Sequence, residues 1–279
     1  MAIWGSTWLA ITFQLGKVAA EASVFYRFLL AAALIFAYCG VRRLPLAYRA
    51  REHLWIALFG LCMFGVSYVF VYYAEEHVVS GLVAVGYSAS PLLGMLGMRA
   101  FFGTPMTVRL IVGSILGIVG ITLVFWPEFA RLRGDGDTAL GAFYTALAVV
   151  ISAAGAILAQ RNQRAGLPLW QTMAWGMLYG SLCALAMALG GGKALDFEPT
   201  PAYVLSLLYL AILGSVVAFA CYLTLLNRIG AARAGYIGVM VPIVALVISA
   251  AFEGFTWQAL TWIGIAVSVA GNLIILKRN

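Results

Sequence analysis

Charge is what this sequence has least of. Only 10 % of its 279 residues are Asp, Glu, Lys or Arg, and 64 % are hydrophobic. A soluble domain carries about 25 % charged and about 45–50 % apolar residues. With a mean hydropathy of +1.00, a water-facing surface is excluded and an integral membrane protein is expected. Acid–base groups are equally scarce: ten acids and two histidines. Both histidines, His53 and His77, fall at the ends of apolar runs, and no acid falls at mid-run. A general acid–base or metal-assisted enzyme needs such groups converging in one place, so none is expected. No G-x-x-x-x-G-K-[ST] loop occurs, which excludes a P-loop ATPase. The four cysteines, Cys39, Cys62, Cys183 and Cys221, sit inside apolar runs without metal-type spacing. They read as small hydrophobic filler. No cofactor and no metal is expected. The first run has no basic leader and no small-residue cleavage site, so a cleavable signal peptide is not expected.

What the chain does have is long apolar runs. They fall at about 2–16, 22–41, 53–73, 78–101, 107–126, 138–160, 168–189, 202–226, 231–252 and 257–276. Most approach the ~20 residues that an α-helix needs to cross ~30 Å of hydrocarbon; the first is shorter. None alternates in the manner of a barrel strand. The fold expected is an all-α membrane bundle of ten transmembrane helices.

The net charge of +7 does not call for nucleic acid, because the basic residues flank spans. Arg42, Arg43, Arg49, Arg51, Arg99, Arg109, Arg161, Arg164, Arg228, Arg233, Lys277 and Arg278 all fall on the side of the N-terminus, with one acid, Glu52. The other nine acids fall opposite. By the positive-inside rule, both termini are cytoplasmic.

The stretch Val79 to Phe125 has a relative 151 positions later, from Gly230 to Leu276. Without a gap, Pro91 meets Pro242, Gly103 meets Gly254, Gly113 meets Gly264, Gly117 meets Ser268 and Gly120 meets Gly271. The chain therefore reads as two repeats, 1–126 and 138–279. Five spans in each put the halves in opposite orientations, so the repeats are inverted, an architecture of secondary transporters.

Candidate functional residues follow from depth. Tyr68 and Tyr72 share a face of span 3, Tyr87 and Ser88 precede Pro91, and Tyr236 precedes Pro242. Ser215, Phe219 and Tyr222 form a stripe on span 8, Thr7 and Trp8 lie in span 1, and Ser152 lies in span 6. Substrate contact is expected from Thr7, Trp8, Tyr68, Tyr72, Tyr87, Ser88, Ser152, Tyr222 and Tyr236. Their rings and hydroxyls suit a small amphipathic molecule. A bundle tyrosine is as often an anchor between helices. Pro91 and Pro242 are expected mid-helix, as bend points for gating, because a proline removes a helical hydrogen bond. Glu75, Glu76, His77 and Glu253 are the acids and histidine available for ion coupling, the first three reading as a solvated turn. Arg27, one and a half turns into span 2, has only Glu21 as a charged sequence neighbour. The small-residue stripe on spans 5 and 10 is a packing device, within the chain or in a homodimer.

Trp4-Gly5-Ser6-Thr7, Tyr26-Arg27-Phe28, Ser80-Gly81-Leu82-Val83-Ala84 and Phe252-Glu253-Gly254 occur in the order and spacing of one family. The chain resembles transporters of the EamA type in the drug/metabolite transporter superfamily. It departs from them in having Gly103-Thr104-Pro105 where the family's first repeat usually has Gly-Glu-Pro. The resemblance implies a secondary transporter in the bacterial inner membrane, exporting an amino acid, a related metabolite or a drug-like compound. The route is a central cavity between the repeats. The alternatives are a passive channel and a non-transporting scaffold or sensor. The partners expected are a small-molecule substrate and lipid.

Single cysteines at positions 49 and 135, in a background without the native four, are expected to react with impermeant maleimide from opposite sides of the membrane. Same-side labelling would overturn the inverted topology.

Overall fold

The computed structural model describes residues 1–78, 83, 86–131, 136–234, 237–252 and 258–276, and among these every regular element is a helix. In order they are α1 (Ala2–Thr12), α2 (Ala20–Val41), α3 (Ala50–His77), α4 (Ser90–Phe102), α5 (Val108–Arg131) and α6 (Gly136–Arg164). Then come α7 (Leu169–Gly190), α8 (Pro201–Ile229), α9 (Ile237–Phe252) and α10 (Ala259–Leu276). A single turn, Ala231–Ala234, precedes α9. Helices α2, α3, α6, α7 and α8 are long and apolar enough to cross a membrane. In α5 and α10 the segments Val108–Gly120 and Ala259–Gly271 form shorter apolar stretches.

These helices are apolar on both faces. On α2, Val24, Phe28, Ala31, Ala32, Ile35 and Cys39 are buried, while Leu29, Leu34, Tyr38 and Val41 are exposed. Leu54, Phe101, Phe143, Val150, Leu205 and Trp262 point outward on other helices. Exposed apolar side chains all round a bundle fit lipid as the solvent, not water.

Helix α2 packs along α7, α3 against α6 and α7, α1 against α9, and α5 against α10. Two of these contacts depend on glycine. A methyl group on Gly60 would lie 2.1 Å from the Gly176 carbonyl oxygen, and one on Gly180 would lie 2.8 Å from the Gly60 carbonyl oxygen. A methyl on Gly65 would lie 3.0 Å from the Gly180 carbonyl oxygen. Gly176 and Gly180 are four apart, as one α-helical face requires; Gly60 and Gly65 are five apart. The extra residue is absorbed by a π-helical segment, Leu61–Val66. Helix α8 contains a second one, Leu210–Val217. The two segments end at Val66 and Val217, separated by the 151 positions of the sequence repeat.

The small-residue stripe is used inside the chain. A methyl on Gly120 would lie 2.5 Å from the Ser268 nitrogen, and one on Gly271 would lie 2.7 Å from the Gly113 carbonyl oxygen. The stripes of α5 and α10 thus face each other and are not available to a second copy. Three other expectations are corrected. Pro91 stands in the first turn of α4, next to the Ala89 cap, where a missing N–H costs nothing; Pro242 is inside α9. Glu75, Glu76 and His77 complete the last turn of α3 instead of forming a turn between helices, with Glu75 buried and Glu76 exposed. Residues Glu128 to Arg131 continue α5 where a connector was expected. Glu253 and Tyr236 lie outside the described residues. The four cysteines are free.

Gly60→Ala is expected to lower stability by about 1–3 kcal/mol through overpacking against the α7 backbone. Gly40→Ala, where a methyl meets nothing within 4 Å, is expected to change it by less than ~0.5 kcal/mol. Thermal unfolding in detergent micelles compares the two.

Candidate functional site

Helix α1 presents Trp4, Thr7, Trp8 and Ile11 at the i, i+3, i+4, i+7 spacing of one face. That face lines a cavity whose other walls are Met63, Tyr68 and Val71 of α3, Ser152 of α6, and Phe219 and Tyr222 of α8. Tyr87 and Ser90, with Ala234, Ile237, Val241 and Pro242, close it. The cavity offers about 100 Å³ to the centres of water-sized molecules, room for several waters or a small organic group. A methyl on Gly5 would lie 2.5 Å from Val244 Cγ1, so glycine lets α1 sit close on α9 and brings Trp4 and Trp8 to the proline side.

Aromatic rings frame the space. Trp4 packs on Phe219 and Tyr222, with centroids 5.1 and 5.3 Å apart, and Trp8 meets Tyr87 at 5.9 Å. Tyr68 stands edge-on to Phe28 at 4.8 Å and reaches Phe219 at 6.1 Å. The spacing Met63, Tyr68, Val71 on α3 is five, then three. The π segment supplies the five, carrying Tyr68 onto the cavity face while Ser67 turns back to donate to the Met63 carbonyl (3.2 Å).

The second π segment provides polar anchors. Trp4 Nε1 donates to the Gly214 carbonyl (3.1 Å). Arg27 is 1 % exposed; its Nε donates to Ser215 Oγ (3.0 Å), and Ser215 Oγ donates to the Leu210 carbonyl (2.9 Å). The guanidinium lies 4.7 Å from the Tyr68 ring centroid and 5.2 Å from that of Phe28. Glu21 is not seen to neutralise it: the Glu21 carboxylate accepts a hydrogen bond from the Tyr73 hydroxyl.

Of the residues expected to meet substrate, Thr7, Trp8, Tyr68, Tyr87, Ser152 and Tyr222 line this one cavity. Tyr72 does not; it is fully buried and donates to Gln14 Oε1 (2.7 Å). Helix α3 turns Val71 to the cavity, and Tyr72, one residue on, falls behind the wall. Ser88 is buried in the turn before Pro91, outside the lining. Pro242 lines the cavity and Pro91 does not. Trp4, Met63, Ser90 and Val241 were missed. Trp4 had a signal, since it precedes Trp8 by four, but Met63 and Val241 carry no chemistry that would distinguish them from core. Arg99 is exposed and directs Nη1 to the Gly103 carbonyl (3.5 Å), as expected of an interfacial cation.

A family model described as the EamA-like transporter family matches residues 1–126 and 139–277. The chain belongs to the EamA-like transporter family. It is 26 % identical over 277 residues to the "Uncharacterized inner membrane transporter YedA" of Escherichia coli strain K12, covering 98 % of this chain and 87 % of that one. It is 27 % identical over 245 residues to the "Probable terminal-alkyne amino-acid exporter" of Streptantibioticus cattleyicolor, covering 86 % and 77 %. A crystal structure of another protein superposes with a TM-score of 0.81 over 98 % of this chain and 92 % of that one. At 16 % identity that likeness shows the fold alone. This member of the family is an integral membrane protein of a class of transporters, not of enzymes.

Ser215→Ala removes the acceptor of a buried guanidinium and is expected to cost about 1.5–3 kcal/mol, the range for hydrogen bonds to charged groups. Ser206→Ala, whose hydroxyl returns to the Tyr203 carbonyl of its own turn, is expected to cost about 0.5–1.5 kcal/mol. Unfolding midpoints of the two purified variants make the comparison.

Proposed function

We propose that this EamA-family protein is a secondary transporter that exports a small organic metabolite by alternating access, with the aromatic cavity as its substrate site. The observation that carries this reading is convergence: α1, α3, α6, α8 and α9, drawn from both halves of the chain, meet around one space. Thr7, Trp8, Tyr68, Tyr87, Ser152 and Tyr222 hold the substrate there, with Trp4 and Phe219 as apolar walls. Tyr236 belongs with them by its repeat position. Tyr72 and Ser88 support the wall from behind.

The chain crosses the membrane ten times as two inverted five-helix repeats, 1–126 and 138–279, with both termini cytoplasmic. The sequence repeat at an offset of 151 residues and the π segments ending at matched positions support this, and the charge distribution supports the orientation. The breaks at Pro91 and Pro242 serve opposite gates, since matched segments of inverted repeats face opposite sides. Pro242 bends α9 beside the substrate; Pro91 ends one helical segment and starts another. If export is coupled to protons, Glu75 is the foremost carrier, being buried near the end of α3. Glu76, His77 and Glu253 are the remaining candidates. A homodimer through α5 and α10 would use their outward Val112, Ile115, Val119, Trp262 and Ile263.

A passive channel would need a continuous polar path, whereas the cavity walls are mainly rings and aliphatic side chains. A scaffold would tolerate loss of those rings.

Purified protein is screened by thermal shift against amino acids, nucleosides, sugars and cationic drugs, because a ligand stabilises the state it binds. With a stabilising compound as substrate, Tyr87→Ala and Tyr68→Ala are each expected to abolish transport in proteoliposomes while leaving expression and monodispersity intact. Normal transport by both variants would place the site elsewhere.

A further inference from the structure

We infer that the adjoining ends of α3 and α6 form a site for one anionic phospholipid, whose phosphate is held by Arg51 and Arg161 and whose acyl chain follows α3. None of its residues lines the aromatic cavity, so the inference does not depend on what that cavity carries.

On α3, Arg51, Leu54, Trp55 and Leu58 recur at the i, i+3, i+4, i+7 spacing of one face. Arg51, Leu54 and Leu58 are exposed and Trp55 is half-buried. Arg161, in the last turn of α6, reaches across to this face: its guanidinium lies over the Trp55 ring, 4.2 Å from the centroid. A buried amide holds it there. Arg161 Nη1 donates to Asn162 Oδ1 (3.1 Å), and Asn162 Nδ2 donates to the Trp55 carbonyl (3.3 Å). Three residues on, Arg164 lies over the Phe102 ring of α4, again at 4.2 Å.

What this cluster lacks is an acid. Among the described residues, none lies within ion-pair distance of Arg51, Arg161 or Arg164. Glu52, next to Arg51 in sequence, accepts a hydrogen bond from the Arg49 backbone N–H (2.7 Å) and caps α3. Arg51 and Arg161 are nonetheless close enough for their charges to repel. Like charges held together are costly unless an anion offsets them, and the Trp55 ring fixes one beside the other. Asn162 takes one of the five N–H donors of Arg161, so most of a fork that matches a phosphate stays open.

Charge and apolar surface are continuous on this face, which calls for an amphiphile. At 1.5 Å per residue, Leu54 and Leu58 lie roughly 4 and 10 Å along α3 from Arg51. They stand at acyl depth when Arg51 is at headgroup depth, and Trp55 between them suits the interface. Val150, on the outer face of α6, continues the apolar surface. A free phosphate would use the arginines and leave the leucines bare. A choline or ethanolamine headgroup would bring its own cation to a place without an acid. A phospholipid with net negative charge matches both parts of the face.

The test reconstitutes the intact protein in nanodiscs of mixed phosphatidylglycerol and phosphatidylcholine, and native mass spectrometry counts the lipids retained. One phosphatidylglycerol is expected to be retained in preference to phosphatidylcholine by roughly twentyfold, about fivefold for each arginine. Arg51→Gln is expected to lower that preference about fivefold, and Arg51→Gln with Arg161→Gln to abolish it. Arg42→Gln with Arg228→Gln removes the same charge from two exposed arginines elsewhere and is expected to leave the preference nearly unchanged. If the first double variant does not fold, Arg51→Gln alone, on an exposed side chain, still decides. Equal retention of the two lipids by the wild type, or equal losses in the two double variants, would overturn the site and leave only the diffuse attraction of a basic surface. Thermal unfolding in phosphatidylcholine nanodiscs separates the lipid from the free anion. Added phosphatidylglycerol is expected to stabilise the protein and inorganic phosphate is not; equal stabilisation by phosphate would overturn the lipid assignment.

Discussion

A helix inside a bilayer has no water to accept its backbone hydrogen bonds, so every departure from α geometry must be covered by another part of the protein. That constraint organises this structure. The chain departs from α geometry in the middle of two of its longest helices, at Leu61–Val66 and Leu210–Val217. Each departure is covered from a neighbouring helix. The first is closed by α7, whose glycines bring backbone to within side-chain distance of Gly60 and Gly65. The second is closed by Trp4 on the Gly214 carbonyl and by Arg27 on Ser215. Widened turns of this kind are rare and concentrate at functional sites. Here they set the register of Tyr68 and Phe219, the two repeat-matched rings that face each other in the cavity.

Much of this was legible in the sequence because the bilayer restricts the options. Apolar runs near twenty residues admit helices and little else, so most of the elements fall within a few residues of where the sequence places them, α4 excepted, which begins at Ser90 and not near 78. The cavity residues Thr7, Trp8, Tyr68, Tyr87, Ser152 and Tyr222 were legible for a related reason: polar atoms at mid-depth are costly unless used. What the sequence hides is register. An α-helical reading pairs Tyr68 with Tyr72, but the bundle turns the i+3 neighbour, Val71, inward. Gly60 and Gly65 at a spacing of five do not suggest a shared face until the π segment is seen. The small-residue stripes of α5 and α10 do announce close packing, yet nothing in their composition names the partner. The fold does, and each is the partner of the other.

Depth was the other blind spot. Hydropathy assigns Glu75 to a turn because acids end apolar runs, but α3 carries it a further turn into the bundle, where it is buried. Glu21 is buried as well, held by the Tyr73 hydroxyl. These acids and Arg27 all lie toward the ends of α2 and α3 that the charge distribution puts outside. The opposite ends of these helices carry exposed arginines instead. A protein that is poor in charge has therefore placed its few buried charges at one end of its central helices.

Positions 151 apart share sequence matches and π segments, but their chemistry is unequal. Tyr68 and Phe219 occupy the same repeat position, but only Tyr68 carries a hydroxyl and only Tyr68 has a guanidinium on its ring. Pro91 and Pro242 match in sequence, but one starts a helix and the other lies within one and lines the cavity. Two halves with the same chemistry would offer a bound molecule the same groups from both sides and give no reason for it to lie one way round. Because the halves differ, Thr7, Trp8, Tyr68 and Tyr87 of the first bring hydroxyls and an indole N–H to the cavity, while Phe219, Ile237 and Val241 of the second are apolar. An amphipathic molecule bound between them has a defined orientation. On the proposed reading, matched backbone with mismatched side chains would let a duplicated scaffold hold an asymmetric molecule.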